Sequence, residues 1–140
     1  MLSITTFTAS HFDGVAALWR EAFPDDAEWN AAEVSIPEKL KVQPELLLVG
    51  VEGALVVGSI MAGYDGHRGW ISRVAVLRSH RGRGIGSALM HEAERRLAAM
   101  GCRKINLQVV SANASMVVFY QKLGYRIEER VSMSKRMLGP

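Results

Sequence analysis

Apolar and polar positions change their period several times along this chain, and each change marks an element. Residues 3–8, SITTFT, alternate and predict a first strand. Ser10 is placed to cap a helix reaching about Ala22, because Phe12, Val15, Ala16, Leu18, Trp19 and Phe23 form one helical stripe. Residues 31–43 predict a partial helix, broken near Pro37. Residues 44–51 and 54–64 read as two strands around the turn Glu52–Gly53, and residues 70–77 as a third after the turn 65–69. Ile85, Ala88, Leu89, Ala93, Leu97 and Met100 then recur at helical spacing up to Gly101, a natural left-handed C-terminal residue. Residues 104–110 predict a buried strand. Asn113 is set to cap a helix that Gly124 closes, and residues 125–137 predict one or two final strands.

A strand at 70–77, a helix at 85–100 and a strand at 104–110 make a β-α-β unit, which implies a parallel pair. The hairpins before it are antiparallel, so the sheet is mixed. The expected fold is an α/β domain of about seven strands and four helices. The 140 residues suit a single domain over 1–140, with 49% hydrophobic and 22% charged residues. No apolar run approaches the roughly 20 residues of a membrane span, and the N-terminus lacks the pattern of a signal peptide. Cys102 is the only cysteine, so no intrachain disulfide forms and a reducing cytoplasm fits. The seven methionines are expected to fill irregular core volume, and His80 and His91 to lie on the surface.

Charge adds one local feature. The net charge is only +3, yet Arg73, Arg78, Arg81 and Arg83 crowd one stretch. That concentration points to an anion site rather than a nucleic-acid face, and no basic run alternates with aromatics. The stretch HRGRGIGSALM (80–90) opens a helix, whose first amides lack internal partners and carry roughly half a positive charge. Glycines at 82, 84 and 86 let the backbone approach an anion, and Arg81 and Arg83 can add charge-assisted hydrogen bonds. No Lys follows Gly86, which argues against a P-loop. Ser87 stands where a dinucleotide-binding fingerprint needs its third glycine.

RGRGIG (81–86) resembles the [Q/R]-x-x-G-x-[G/A] pyrophosphate loop of the GNAT superfamily, the Gcn5-related N-acetyltransferases. NASMVVFYQKLGY (113–125) is similar to that family's second cofactor segment, and GYDGHRG (63–69) resembles the bacterial YpeA-type subgroup. The resemblance implies a GNAT-like fold whose central parallel strands, here 70–77 and 104–110, splay apart. It implies acetyl-CoA as cofactor, with backbone contacts from Val74, Ala75 and Val76 to the pantetheine arm and acetyl carbonyl. The amides of Gly82, Arg83, Gly84, Ile85, Gly86 and Ser87, with Arg81, would hold the pyrophosphate. Asn113 would contact the pantetheine or adenosine portion. Tyr120, in FYQKLGY, would bind the cofactor and donate a proton to the departing sulfur.

The implied activity is acetyl transfer to a primary amine by direct attack in a ternary complex, with no metal. A backbone N–H near Val74–Val76 is the natural oxyanion donor. Some family members carry a carboxylate on the fourth strand; WISRVAVL has none, so the base is unassigned. Glu21, Glu28, Asp65 and His67 lie in segments expected to rim the acceptor cleft, and Trp19, Trp29 and Trp70 are candidates to line it. The acceptor is a small-molecule or peptide amine, with neither nucleic acid nor membrane as partner, and a homodimer fits base rates. The competing reading is a non-catalytic CoA-binding regulatory module of the same fold. A third reading, nucleic-acid binding through the basic stretch, predicts salt-sensitive association.

Overall fold

The structure, a computed structural model, describes residues 1–138. The chain divides into two compact units, Met1–Gln108 and the segment from Val109 onward.

The first unit holds a five-stranded sheet in the order β1-β2-β3-β4-β5: β1 Leu2–Thr6, β2 Leu47–Glu52, β3 Leu55–Tyr64, β4 Gly69–Val76 and β5 Ile105–Leu107. The first three pairings are antiparallel; β4 and β5 are parallel, as the β-α-β reading requires. Helices α1 (Phe12–Ala22) and α2 (Ala32–Leu40) cover one face of the sheet. Their Val15, Leu18, Trp19, Ala32 and Ile36 form a core with Leu47, Val49 and Ala75. Helix α3 (Ile85–Ala99) buries Ile85, Leu89, Met90, Ala93 and Leu97, the periodic stripe seen in the sequence.

Gly58 fixes how closely α3 seats on the sheet. A β-carbon there would fall 2.8 Å from Leu89 Cδ1 and 3.1 Å from the Ala75 carbonyl oxygen. Gly58→Val should therefore lower stability by about 1–3 kcal/mol through overpacking, read by urea denaturation. An unchanged midpoint would show that α3 can shift without cost.

The outer end of α3 is tied down by charge. Glu92 accepts from Arg95 at 2.6 Å and from Arg96 at 2.8 Å, and Arg96 continues to Thr6 Oγ1 and the Glu45 carbonyl. The Arg95 and Arg96 guanidinium groups pull the Glu92 carboxyl down to about 2. A depressed carboxyl stabilises the fold above its ordinary value near 4.5 and loses that contribution as pH falls toward 2. Solvent screening limits the effect to under about 1 kcal/mol. Glu92→Gln should therefore lower the melting temperature slightly at pH 7 and not at pH 2.

Three local expectations change. Helix α2 runs through Pro37. The lost N–H forfeits one bond, while buried Ala32 and Ile36 and the Ser35 Oγ bond to the Asn30 carbonyl keep the turns together. Ser10 does not cap α1, because a short turn at Ala9–His11 leads in and the Ser10 hydroxyl pairs with Thr8. Strand β5 stops at Leu107, three residues short of the expected end.

In the second unit, helix α4 spans Ala114–Lys122. Residues 125–138 form no strand, so the described sheet has five strands rather than about seven. Ile127, Val131, Met133 and Met137 are exposed there, and Met100 is exposed at the end of α3; of the methionines, Met90 is fully buried. No helix among the described residues is long and apolar enough to cross a membrane.

Candidate active site

The start of α3 is built to receive an anion. Gly82 and Gly84 adopt left-handed conformations, with φ of 78° and 80°, which turn the backbone from β4 into the helix. Ala88 N–H donates to the Gly84 carbonyl at 3.0 Å, closing the first helical turn. Among the described residues, no N–H from Gly82 through Ser87 donates a hydrogen bond. Residues 81–84 are exposed, while Ile85 is buried and anchors the turn. Six unspent amides at the positive end of a 15-residue helix make this turn a candidate seat for an anion.

The two arginines beside this seat already have partners. Arg83 pairs with Glu52, its Nη2 2.7 Å from Oε2 and its Nη1 3.4 Å from Oε1. His80 Nε2 lies 3.3 Å from the same carboxylate, so His80 is a partly buried member of this cluster rather than a plain surface residue. Arg81 Nε donates to the Val76 carbonyl at 3.2 Å.

Strand β4 departs from regular pairing where the chemistry was expected. Its ladder with β5 joins only Gly69–Ile71 to Ile105–Leu107, leaving Ser72–Val76 without a partner on that side among the described residues. This is the splay that the family resemblance implies. On the other side, the register with β3 shifts between Ser59 and Met61, so Arg73 and Val74 bulge. Arg73 takes φ of 55°, the one described non-glycine residue in the left-handed region.

A buried relay holds that bulge. Trp19 Nε1 donates to Ser59 Oγ at 2.9 Å, and the Ser59 hydroxyl donates to the Arg73 carbonyl at 2.8 Å. Ser59 is fully buried, so both bonds act in low dielectric. Trp19 thus belongs to the core rather than to a pocket lining. The Arg73 guanidinium crosses to the α1 side. Its Cζ lies 4.5 Å from the Phe23 ring centre and 5.0 Å from that of Trp19, and its Nη2 is 2.7 Å from Asp26 Oδ2.

This pair flanks a cleft of about 440 Å³. Phe23, Met61, Trp70 and Ile71 give it apolar surface; Asn30, Ser35, Ser72 and Gln108 give it neutral polar groups. Trp70 lines it as anticipated, whereas Trp29 is not among the lining residues. The expected base candidates also lie elsewhere. Glu21 accepts the Arg78 amide at 3.0 Å and so supports the turn after β4. Asp65 accepts amides of Arg68 and His67, which hold its carboxyl below the usual range. His67 borders a separate shallow cleft of about 320 Å³ with Tyr64, Gly101 and Arg103. Asp26, in the loop before α2, is the carboxylate that the 440 Å³ cleft contains. Nothing in PDDAEWN distinguishes it from Asp25.

In the second unit, Asn113 caps α4 as read from the sequence, its Oδ1 accepting the Met116 amide at 3.3 Å. Tyr120 is buried, with its ring edge-on to Phe119 and Tyr125. Burial pushes its phenol up to about 12, so it stays protonated throughout the physiological range.

Similar proteins identify the family and the fold. The chain is 38% identical to "Acetyltransferase YE1169" of Yersinia enterocolitica, over 98% of this chain and 96% of that one. It is 41% identical to "Acetyltransferase SG1711" of Sodalis glossinidius, over the same shares. The solved aminoglycoside N-acetyltransferase AAC(6')-Iy in complex with CoA shares the fold, with a TM-score of 0.79 over 99% of this chain and 96% of that one, at 18% identity. These names do not bear on the YpeA-type subgroup. The model of the acetyltransferase (GNAT) family matches residues 12–125, from the first helix through both glycine-marked segments, and the chain belongs to that family of acetyltransferases.

Proposed function

We propose that the chain is an acetyl-CoA-dependent N-acetyltransferase acting by direct attack of a primary amine, a single domain over 1–140. The observation that carries this reading is the run of unspent amides from Gly82 to Ser87. Its size and positive polarity suit a diphosphate, and a β-carbon at Gly82 or Gly84 would demand a backbone conformation that L-residues avoid. With Arg81 and Arg83 already engaged, backbone dipoles supply most of the grip, and the guanidinium groups set the surrounding potential.

Acetyl-CoA supplies the thioester: the amine nitrogen bonds to the acetyl carbon, the carbon–sulfur bond breaks, and one proton leaves the nitrogen as the thiol is released. The unpaired side of Ser72–Val76 offers backbone groups to an extended polar chain, as an exposed strand edge does. Val74, Ala75 and Val76 are the residues we assign to the pantetheine arm and the acetyl oxygen. The bulge at Arg73–Val74 changes which amides face outward, and the Trp19–Ser59–Arg73 relay keeps them fixed before substrate arrives. Asn113 and Tyr120 complete the assignment on the family resemblance, Tyr120 as hydrogen-bond donor to the leaving sulfur. The lone cysteine fits a cytoplasmic setting.

Calorimetric titration with acetyl-CoA, followed by free-thiol release over an amine panel, tests the proposal. Micromolar binding and amine-dependent thiol release are expected. Binding without transfer to any amine would favour the non-catalytic module. Absence of binding at millimolar acetyl-CoA would end the reading altogether.

A further inference from the structure

The Asp26–Arg73 cleft has a charge pattern that selects among amines. Its lining contains one carboxylate and one guanidinium, 2.7 Å apart, and otherwise neutral groups. A polycationic acceptor needs a surplus of carboxylates, and this cleft has none. A plain hydrophobic amine would gain nothing from Arg73, whose placement carries backbone strain at φ 55°.

The pair is only partly spent. Asp26 Oδ2 and Arg73 Nη2 bond to each other, and Nη2 also reaches the Asn30 carbonyl at 3.1 Å. Among the described residues, Asp26 Oδ1 and Arg73 Nη1 and Nε make no hydrogen bond. The Phe23 and Trp19 rings hold the guanidinium plane in place, so its fork is oriented in advance. The free positions on the two groups present one acceptor for an ammonium and, at either Nη1 or Nε, a charged donor for a carboxylate. A molecule carrying both charges completes a ring of alternating ion pairs.

We infer that the acceptor is a zwitterionic amine, an amino-acid-like molecule with an apolar side chain, whose carboxylate is held by Arg73 and whose ammonium is drawn in by Asp26. This rests on the N-acetyltransferase reading and names the substrate class of that site. Phe23, Met61 and Trp70 supply the apolar surface for the side chain. Before attack the ammonium loses a proton to water. The neutral nitrogen then bonds to the acetyl carbon, the carbon–sulfur bond breaks, and the nitrogen's remaining excess proton leaves as the thiol forms.

The test compares L-methionine and L-phenylalanine with their carboxamides and with spermidine, by thiol release, alongside calorimetry of acetyl-CoA alone. The free acids should exceed the carboxamides roughly tenfold or more in kcat/KM, since a site built to bond a group rejects its absence. Arg73→Gly suits the left-handed backbone, so the fold survives, and the acid-to-carboxamide ratio should fall to about one. Asp26→Asn keeps the loop's shape; it should raise the KM of the acids roughly tenfold and leave the ratio standing. A purely structural role for Arg73 would lower all rates without moving the ratio. Carboxamides or spermidine equal to the acids, a ratio that survives Arg73→Gly, or acetyl-CoA binding with no turnover of either acid would overturn the inference alone. Absence of acetyl-CoA binding would remove the underlying reading with it.

Discussion

Gly84→Glu should abolish useful acetyl-CoA binding, raising Kd at least about 100-fold, or roughly 2.7 kcal/mol. Gly84 sits at φ 80°, and a β-carbon there would meet nothing within 4 Å, so the substitution creates no clash. The cost comes from the backbone. A non-glycine residue either holds the left-handed conformation at about 1–3 kcal/mol or relaxes out of it and swings the amides away. The new carboxylate then occupies the seat meant for phosphate. Gly84→Asn separates the two effects, because Asn tolerates the left-handed region and adds no charge; it should weaken binding far less. Calorimetry reads both variants. A Gly84→Glu protein with unchanged affinity would show that the amides of α3 do not hold the diphosphate.

Tyr120→Phe is expected to lower kcat by roughly 10- to 100-fold while leaving the acetyl-CoA Kd within about threefold. The phenol sits at about 12. A thiol like that of cysteine ionises near about 8.5. Complete transfer from phenol to thiolate is therefore uphill by about 3.5 pH units, close to about 5 kcal/mol at roughly 1.36 per unit. This narrows the acid role expected from the sequence. In the proposed mechanism Tyr120 would steady the leaving sulfur by donating a hydrogen bond, and the net proton would come from the attacking amine. Because burial raises the phenol, ionisation of Tyr120 adds no loss of rate between about pH 6 and 10. Equal turnover by the Phe variant, or a basic limb below about pH 10 that vanishes with it, would remove this assignment.

The elements that position the candidate anion seat were legible because local rules decide them. Glycines at 82 and 84 announce a left-handed turn, the apolar stripe from Ile85 to Leu97 announces the helix behind it, and Asn113 announces a cap. The Asp26–Arg73 cleft was not legible. Asp26 gains meaning only from an arginine 47 positions later, and the sequence groups Arg73 with Arg78, Arg81 and Arg83 as one anion site, whereas the register slip against β3 leaves its guanidinium paired with Asp26. Ser59 lies in a run of apolar residues with no sign that two elements converge on its hydroxyl. Pro37 misled in the other direction: a local rule against helix lost to packing by Ala32 and Ile36. The final strands failed for the same kind of reason. Apolar residues at 127, 131 and 133 satisfy a strand pattern, yet pattern alone does not provide a neighbour.

The buried hydroxyl of Ser59 has a mechanical consequence. It bonds the indole of α1 on one side and the Arg73 carbonyl of β4 on the other, so the helix leading to Phe23 and the strand proposed to meet the thioester share a single pin. A molecule that presses on the ring of Phe23, next to the Arg73 guanidinium, would load the same residue whose carbonyl the pin holds. On the proposed assignment, a poorly seated amine would then leave the thioester out of line.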